Sequence, residues 1–241
     1  MARSLTPYGL NIIHTCLSCP VTEDGLFCHL GPTALKELNA ICQTSVYPKG
    51  AVLFVEGQTA AGLFVLCSGK VKLTALHPQG RAIILRVAAP GELLGLSATI
   101  AGHVYEVSAE ALEPIQVNFI PRATFLEFAE QHGEVAMQIA RHASLELRRA
   151  YSQVTRIALA PTTRAKLAGL LLEWSESNGE PGTQGVHFQL PLTQQEIGEL
   201  IGSSRETVSR ALNEFRRKGL IRVNGASITL QNPSGLKKFL A

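Results

Sequence analysis

The sequence predicts an α+β fold with a strand-rich N-terminal half, one long helix, and a compact C-terminal domain of helices closed by a β-hairpin. Three observations support it: short apolar runs separated by glycine turns over residues 46–120, an apolar repeat over residues 136–157, and two closely spaced helix starts after residue 192. The chain has 241 residues, of which 46% are hydrophobic and 17% charged. This composition excludes a disordered chain and suits one large domain or two ordinary ones.

Residues 1–45 are predicted to form an N-terminal segment that contains cysteines and one short helix, Pro32–Ile41. Four of the five cysteines lie in this segment, at Cys16, Cys19, Cys28 and Cys42. The chain start lacks the apolar core of a secretory signal, and no apolar run is long enough to span a membrane. We therefore expect a cytoplasmic protein, in which clustered cysteines more often bind metal or sense redox state than form disulfides.

Residues 46–121 are predicted to form a β-domain. Six apolar runs have the length and composition of strands: Ala51–Val55, Gly62–Leu66, Lys70–Leu76, Ala82–Val87, Tyr105–Ala111 and Gln116–Ile120. Turn residues separate these runs, as in Glu56-Gly57 and Pro90-Gly91. Many short strands punctuated in this way favour a small β-barrel or sandwich.

Residues 122–160 are predicted to form one long helix that ends before Pro161. Its apolar residues recur at steps of three and four, at Ala136, Ile139, Ala143, Leu147, Ala150, Val154 and Ile157. So narrow an apolar stripe favours packing against a partner helix. The alternative is that the same stripe packs against the chain's own β-domain.

Residues 161–241 are predicted to form a domain that begins with an apolar helix over 162–174, followed by a polar loop over 175–185. Thr193 and Glu196 have the spacing of a capping box, and Ser203 and Glu206 repeat it ten residues later. With the Gly202 turn between them, these two helix starts predict a helix-turn-helix. The hairpin predicted over residues 221–230 would then be a wing.

The exposed stripe predicted on the second of these helices carries side chains suited to base edges. Arginine offers a bidentate fork to guanine, and glutamate accepts a hydrogen bond from the cytosine amino group. The candidates are Arg205, Glu206, Ser209 and Arg210. Residues 161–241 contain ten basic and seven acidic residues, whereas residues 1–160 contain twelve of each. The basic excess lies in the domain with the motif, which indicates a phosphate-facing surface. The alternative is a solvated helix face with Glu206 and Arg210 as an ion pair.

Together these features resemble the Crp/Fnr family of bacterial transcription regulators over nearly the whole chain. The segment Leu192–Arg210 resembles the family's helix-turn-helix almost residue for residue. Tyr47–Gly50, Ser68-Gly69 and Pro90–Gly95 resemble its cyclic-nucleotide-binding-type β-roll, and the long helix resembles its dimerisation helix. The resemblance thus implies a β-roll, a dimerisation helix and a winged helix-turn-helix.

For function, the resemblance implies a homodimer, paired through residues 133–158, that places two recognition helices in major grooves about 34 Å apart. It implies an inverted TGTGA-like repeat as the site, with RNA polymerase as a further partner. Base contacts are expected from Arg205, Glu206, Ser209 and Arg210. Phosphate contacts are expected from Thr193, Gln195, Ser203 and Ser204.

The resemblance also implies an effector site in the β-roll, but this sequence departs from the cyclic-AMP-binding members and is closer to the Fnr-like side. Those members supply an Arg-Ser pair to the cyclic phosphate, where this chain has Tyr105-Glu106. A carboxylate there repels a phosphate, so we expect no tight cyclic-AMP binding. The candidate pocket residues are Gly91, Glu92, Leu93, Tyr105, Glu106, Tyr151 and Ser152.

Cys16, Cys19 and Cys28 resemble the N-terminal cysteines of the oxygen-sensing branch, which hold a [4Fe–4S] cluster together with one distant cysteine. The second spacing is longer than that branch's pattern, and Asn118 occupies the distant position. Cys42 or Cys67 would substitute only if the fold brings one close. The alternatives are a zinc or thiol redox site, and buried cysteines without metal.

The sequence therefore predicts a sequence-specific DNA-binding transcription regulator whose activity is switched at the N-terminal domain. The alternative is a redox or small-molecule signalling module in which DNA binding is secondary. No nucleophile elbow, P-loop or His-Glu-x-x-His pattern is present, so we do not expect an enzyme.

Overall fold

In the computed structural model, the described residues are 8–13, 15–16, 19, 25–77, 82–159 and 162–240. They fall into two compact units, divided between Glu146 and Leu147. The first unit begins with a 3-10 helix, Leu26–His29, and helix α1, Pro32–Ile41. Its eight strands are β1 (Gln43–Tyr47), β2 (Val52–Phe54), β3 (Gly62–Ser68), β4 (Val71–Leu76), β5 (Ala82–Ala88), β6 (Leu93–Leu94), β7 (Ser108–Ala111) and β8 (Ile115–Pro121).

These strands form two antiparallel four-stranded sheets, ordered β1-β8-β3-β6 and β2-β7-β4-β5. One apolar cluster draws on strands of both sheets and includes Phe54, Leu66 and Val117. A second cluster packs α1 and helix α3 (Arg122–Gln131) against the opposite side chains of the first sheet. The strand-rich domain predicted from the glycine-punctuated runs is therefore present.

Four short elements in the described part of this unit were not predicted: the 3-10 helix, β1, β6 and helix α2 (Leu96–Ala101). β1 begins with polar residues, and Thr44 donates a hydrogen bond to the buried Asn118 side chain at 2.8 Å. A polar strand of this kind has no apolar alternation by which to recognise it. The strand predicted from Tyr105 begins only at Ser108, because Tyr105 is buried among aromatic residues before the ladder starts.

The single helix predicted over residues 122–160 was wrong in one respect, since the chain forms two helices, α3 and α4 (Gly133–Leu159), with a break at His132. His132 has extended backbone angles, and its Nε2 lies 2.8 Å from Glu37 Oε2 on α1. Gly133 follows directly, and glycine is a poor helix former. The contact with α1 and the glycine together favour the interruption.

The second unit contains helices α5 (Thr163–Asn178), α6 (Gln194–Ile201), α7 (Arg205–Arg217) and α8 (Pro233–Lys237). Strands β9 (Glu180–Gly182), β10 (Gly185–Gln189), β11 (Ile221–Asn224) and β12 (Ser227–Leu230) form a sheet ordered β11-β12-β10-β9. The loop predicted over 175–185 was largely wrong. Ser175 is buried within α5, which runs to Asn178, and β9 pairs with β10 across a two-residue turn.

Among the helices of the described ranges, none combines the length and apolar character needed to cross a membrane.

Candidate nucleic-acid interface

Helices α6 and α7 are joined by a tight turn whose geometry follows from local sequence. At the start of α6, Thr193 Oγ1 accepts a hydrogen bond from the Glu196 backbone N–H at 3.2 Å, and Glu196 Oε2 accepts one from the Thr193 N–H at 2.8 Å. This is the predicted capping box. Gly202 ends α6 with a φ of 67°, a left-handed conformation that glycine adopts without strain.

The prediction that Ser203 caps α7 in a second capping box with Glu206 was wrong. Ser204 is the cap, and its Oγ accepts a hydrogen bond from the Thr207 N–H at 3.3 Å. The Ser203 hydroxyl instead lies 3.0 Å from the Thr163 hydroxyl of α5. The Ser203 hydroxyl is therefore engaged by Thr163, forty residues upstream, and Ser204 is the residue that caps α7.

Helix α7 is strongly two-sided. Its inward face is buried and consists of Val208, Ala211, Leu212 and Phe215. Its outward face forms a shallow concave surface with the first turn of α6, lined by Gln194, Arg205, Glu206, Ser209 and Arg210. The structure thus brings all four predicted base-contacting residues together. It adds Gln194, which sequence reasoning missed although it lies between Thr193 and Gln195.

Hydrogen bonds and neighbouring charges hold the charged side chains of this surface in place. The pKa of Glu206 lies below its usual value because the residue's own backbone N–H and the Ser204 hydroxyl bond to the carboxylate, with Arg205 and Arg210 adding attraction. Glu206 is therefore an ionised acceptor at neutral pH. Arg210 Nη2 donates to Thr207 Oγ1 at 3.3 Å, which holds its guanidinium against α7. The surface offers two fork donors and one carboxylate acceptor, a set suited to base edges.

The four predicted phosphate-contacting residues have different surroundings. Thr193 and Gln195 are exposed at the N-terminus of α6, where backbone N–H groups favour an anion. Gln195 Nε2 also donates to Glu199 Oε1 at 3.0 Å. Ser204 is exposed, while Ser203 is half-buried and engaged with Thr163. Three of the four are accessible to a ligand, and Ser203 is the least so.

The predicted hairpin after α7 is present as β11 and β12, and Gly225 at its turn has a φ of 60°. The hairpin contributes to a second concave surface, lined by Gln184, Arg222, Val223, Asn224, Ser227 and Thr229. Arg222 Nη1 lies 3.4 Å from Gln184 Oε1 in the turn between β9 and β10. The wing therefore presents a cation and several short polar side chains.

In the first unit, the candidate effector residues are only partly grouped. Gly91, Glu92 and Leu93 lie in and after the turn that follows β5, and Leu93 is buried. The Glu92 carboxylate accepts a hydrogen bond from Arg86, whose Nη2 also lies 3.3 Å from Glu146 Oε2 on α4. The carboxylate of this turn is thus already paired with a cation of the chain itself.

Tyr105 and Glu106 have separate roles in the described structure. Tyr105 is buried and stacks on Phe54 with ring centroids 4.0 Å apart, and its hydroxyl donates to the Gly62 carbonyl at 2.5 Å. Its placement in the core does not support a role in touching an effector. Glu106 Oε1 accepts a hydrogen bond from Ser97 Oγ at 3.0 Å. Tyr151 and Ser152 belong to the second unit, where both are exposed on α4.

Comparisons with known proteins decide the family. A Crp-like helix-turn-helix domain matches residues 165–239, and a cyclic nucleotide-binding domain matches residues 44–132. The transcriptional activator protein FnrA of Stutzerimonas stutzeri is 30% identical over 188 residues, which are 78% of this chain and 76% of that protein. The chain belongs to the Crp/Fnr family.

Two further relatives agree. The CRP-like cAMP-activated global transcriptional regulator of Mycobacterium tuberculosis is 27% identical over 214 residues, covering 89% of this chain and 95% of that protein. The solved structure of FixK2 from Bradyrhizobium japonicum has a TM-score of 0.75 at 26% identity, covering 83% of this chain and 98% of that one. The predicted β-roll and helix-turn-helix fold and the DNA-binding regulatory function are thereby confirmed, and the relatives are transcription regulators and not enzymes.

Three of the described cysteines of this Crp/Fnr regulator, Cys16, Cys42 and Cys67, lie near one another. Gln116, fully buried on β8, accepts from the Ile13 N–H at 2.8 Å and donates to its carbonyl at 2.7 Å, which fixes the N-terminal segment. The Cys16 N–H donates to Asn39 Oδ1 at 3.3 Å. Burial, with smaller effects from nearby Cys16 and Cys67, raises the pKa of the Cys42 thiol to about 12.

The described cysteines are not grouped with other ligands into a metal site. Within the described ranges, no three His, Cys, Asp or Glu side chains are grouped so as to hold a metal ion. The distant position of the oxygen-sensing branch is Asn118, which accepts a hydrogen bond from Thr44. A buried amide is no substitute for the thiolate that an iron–sulfur cluster requires. The side chain of Cys28 lies outside the described residues, so the three-cysteine set stays a prediction.

Cys42 should be inert to alkylation in the native protein. At pH 8 a thiol with a pKa of about 12 is almost wholly protonated, and the thiolate is the nucleophile. We expect iodoacetamide at pH 8 to leave Cys42 unmodified in the native protein and to modify it in urea, as measured by peptide mass spectrometry. Reaction should begin only as the pH rises toward 12. Rapid native alkylation at pH 8 would contradict the burial of this thiol.

Proposed function

We propose that this Crp/Fnr regulator binds an inverted TGTGA-like repeat as a homodimer in the cytoplasm and there contacts RNA polymerase. The observation that carries the proposal is the outward face of α7, where Arg205, Glu206 and Arg210 are exposed beside the N-terminus of α6. Base-contacting side chains near the start of a recognition helix suit docking in the major groove. The exposed Thr193, Gln195 and Ser204 lie where phosphates would flank that groove.

Dimerisation through α4 is supported by the exposure of its apolar residues. Leu147 is 53% exposed, and Tyr151 and Val154 are each 65% exposed. The first turns of α4 do pack on their own domain, since Val135 is buried and the stripe residue Ile139 borders the same apolar cluster. From Leu147 onward, large apolar side chains open to solvent favour a second copy of the helix as the partner.

The proposed function is tested by fluorescence anisotropy with a labelled TGTGA inverted repeat and a scrambled duplex of the same composition. The half-sites should be centred one helical turn apart, as two recognition helices require. We expect the repeat to bind more tightly than the scrambled duplex, and lengthening the spacer by half a turn should remove the difference. Equal affinity for all three duplexes would refute the proposed site.

The effector of the β-domain is proposed not to be cyclic AMP. The acidic candidates near the proposed phosphate position are Glu92, paired with Arg86, and Glu106, bonded to Ser97. Neither provides the charge-assisted fork that a cyclic phosphate requires. Isothermal titration calorimetry with cyclic AMP should show no saturable binding, in a sample whose DNA binding proves that it is folded. A micromolar dissociation constant would overturn this expectation.

A second candidate function is a redox or small-molecule signalling module that uses the N-terminal cysteines. The observation in its favour is the anchoring of Cys16 to α1 in the vicinity of Cys42 and Cys67. Anaerobic purification with metal analysis and a visible spectrum separates an iron–sulfur cluster, zinc and metal-free thiols. A cluster whose visible absorption bleaches in air would favour this candidate as the switch.

A further inference from the structure

The first two residues of α5 contact the recognition helix region at two separate points. The hydroxyls of Thr163 and Ser203 lie 3.0 Å apart, at the turn immediately before α7. Arg164 Nε lies 2.9 Å from Glu214 Oε2, in the last turn of α7. Ser203 lies just before the cap of α7 and Glu214 lies in its last turn, so the two residues that α5 contacts are near opposite ends of this 13-residue helix.

Glu214 is the centre of the second contact. Its other oxygen, Oε1, lies 2.9 Å from Lys218 Nζ, so one carboxylate bridges two cations. The Glu214 side chain is only 21% exposed, whereas those of Arg164 and Lys218 are 57% and 54% exposed. The hydrogen bond from Lys218, followed by the charges of Arg164, Lys218 and Arg217, lowers the pKa of Glu214. The carboxylate is therefore ionised at neutral pH.

A carboxylate in this position does not help to attract DNA. Within residues 205–222, six basic residues are accompanied by two acidic ones, Glu206 and Glu214. Glu206 belongs to the surface proposed to contact bases, but Glu214 does not line it. Repulsion from phosphates would favour the loss of such a charge, unless its contact with α5 has a use.

We propose that Thr163, Arg164 and Glu214 are positioning residues that fix the orientation of α7 on α5. A helix held at one end can pivot, whereas contacts at both ends define its direction. The apolar packing of Phe215 and Leu212 stabilises α7 on the domain but does not by itself define the angle between α7 and α5 sharply. Major-groove recognition requires the bidentate geometry of Arg205 and Arg210 to be met closely. The inference rests on the proposed base-contacting role of these arginines.

The test compares Glu214→Gln with Glu176→Gln, which removes an equal charge from an exposed position on α5. If Glu214 acted only as a charge, its loss would raise the affinity for specific and scrambled DNA alike. We expect instead a two- to fivefold loss of affinity for the specific repeat, the range of a partly exposed ion pair, with no loss on scrambled DNA. An equal rise on both duplexes would overturn the proposal.

Substitutions of Arg164 test the same proposal independently. Arg164→Gln should lower the specific affinity selectively, and Arg164→Lys should recover part of it because the ammonium can still reach Glu214. If Arg164 merely touched a phosphate, both duplexes would lose affinity equally, with a smaller salt dependence. The double exchange Arg164→Glu with Glu214→Arg should restore the specific affinity above that of either single variant.

A measurement without DNA separates this proposal from the proposed function. Hydrogen exchange in the backbone of α7 and in the first turn of α5 should accelerate in Arg164→Gln and Glu214→Gln, while the β-domain is unchanged. Unchanged exchange in α7 would refute the positioning role even if the wild-type protein prefers the TGTGA repeat. Accelerated exchange in a protein with no such preference would refute the proposed site alone.

Discussion

Replacing Arg210 by alanine should cost about 1–3 kcal/mol of binding free energy on the TGTGA-like repeat and relax the base preference at one position of each half-site. Arg210 is exposed on the concave surface of α7, and its contact with Thr207 holds the guanidinium in place before DNA arrives. Fluorescence anisotropy with single-base variants of the repeat measures both effects.

Arg216→Ala is the matched control for this prediction. It removes the same charge from an exposed position of the same helix, but Arg216 does not line the concave surface. A change in net charge alone should weaken binding to all sequences by a similar factor. Equal losses on specific and random DNA after Arg210→Ala, as expected for Arg216→Ala, would show that Arg210 contacts phosphate and not a base.

Placing charges on the exposed stripe of α4 should convert the protein to a monomer. In Leu147→Glu with Val154→Glu, two acidic side chains would face their own copies across a parallel helix pair, where burial of like charges is unfavourable. Both side chains are more than half exposed, so the fold of each unit should survive. Light scattering coupled to gel filtration measures the mass, and circular dichroism confirms the helix content.

The same variant should lose at least about tenfold in affinity for the inverted repeat, because one half-site can no longer assist the other. Thr155→Glu is the control, since it introduces one charge at an exposed position beside the stripe. It should remain dimeric and bind the repeat. A Leu147→Glu, Val154→Glu protein that is still a dimer would place the interface elsewhere.

Much of the proposed DNA-binding site could be predicted because it is encoded in local spacing. The capping box at Thr193, the left-handed Gly202 and the apolar residues on the inward face of α7 each depend on neighbours within a few residues. The face opposite the apolar stripe is then determined by helical periodicity. For the same reason, most predicted strands differ from the observed ones only at their ends.

Long-range contacts account for the features that local spacing predicted wrongly. Ser204 caps α7 because the Ser203 hydroxyl is paired with Thr163 in another helix. The long helix breaks where His132 meets Glu37 of α1. Tyr105 occupies a place in the core, against Phe54, although the family resemblance had placed it in the effector pocket. In each case a partner distant in the chain competes with a local preference.

The sequence by itself was enough to recognise the family, the order of the domains and the face of α7 that we propose meets DNA, since periodicity and capping act over single turns. Only the tertiary structure decided which side chains remain available on those elements. It paired Glu92 with Arg86, left Cys42 only partly exposed, and joined the turn before α7 and the last turn of α7 to the start of α5. These contacts depend on the meeting of segments far apart in the chain, which spacing along a single sequence does not record.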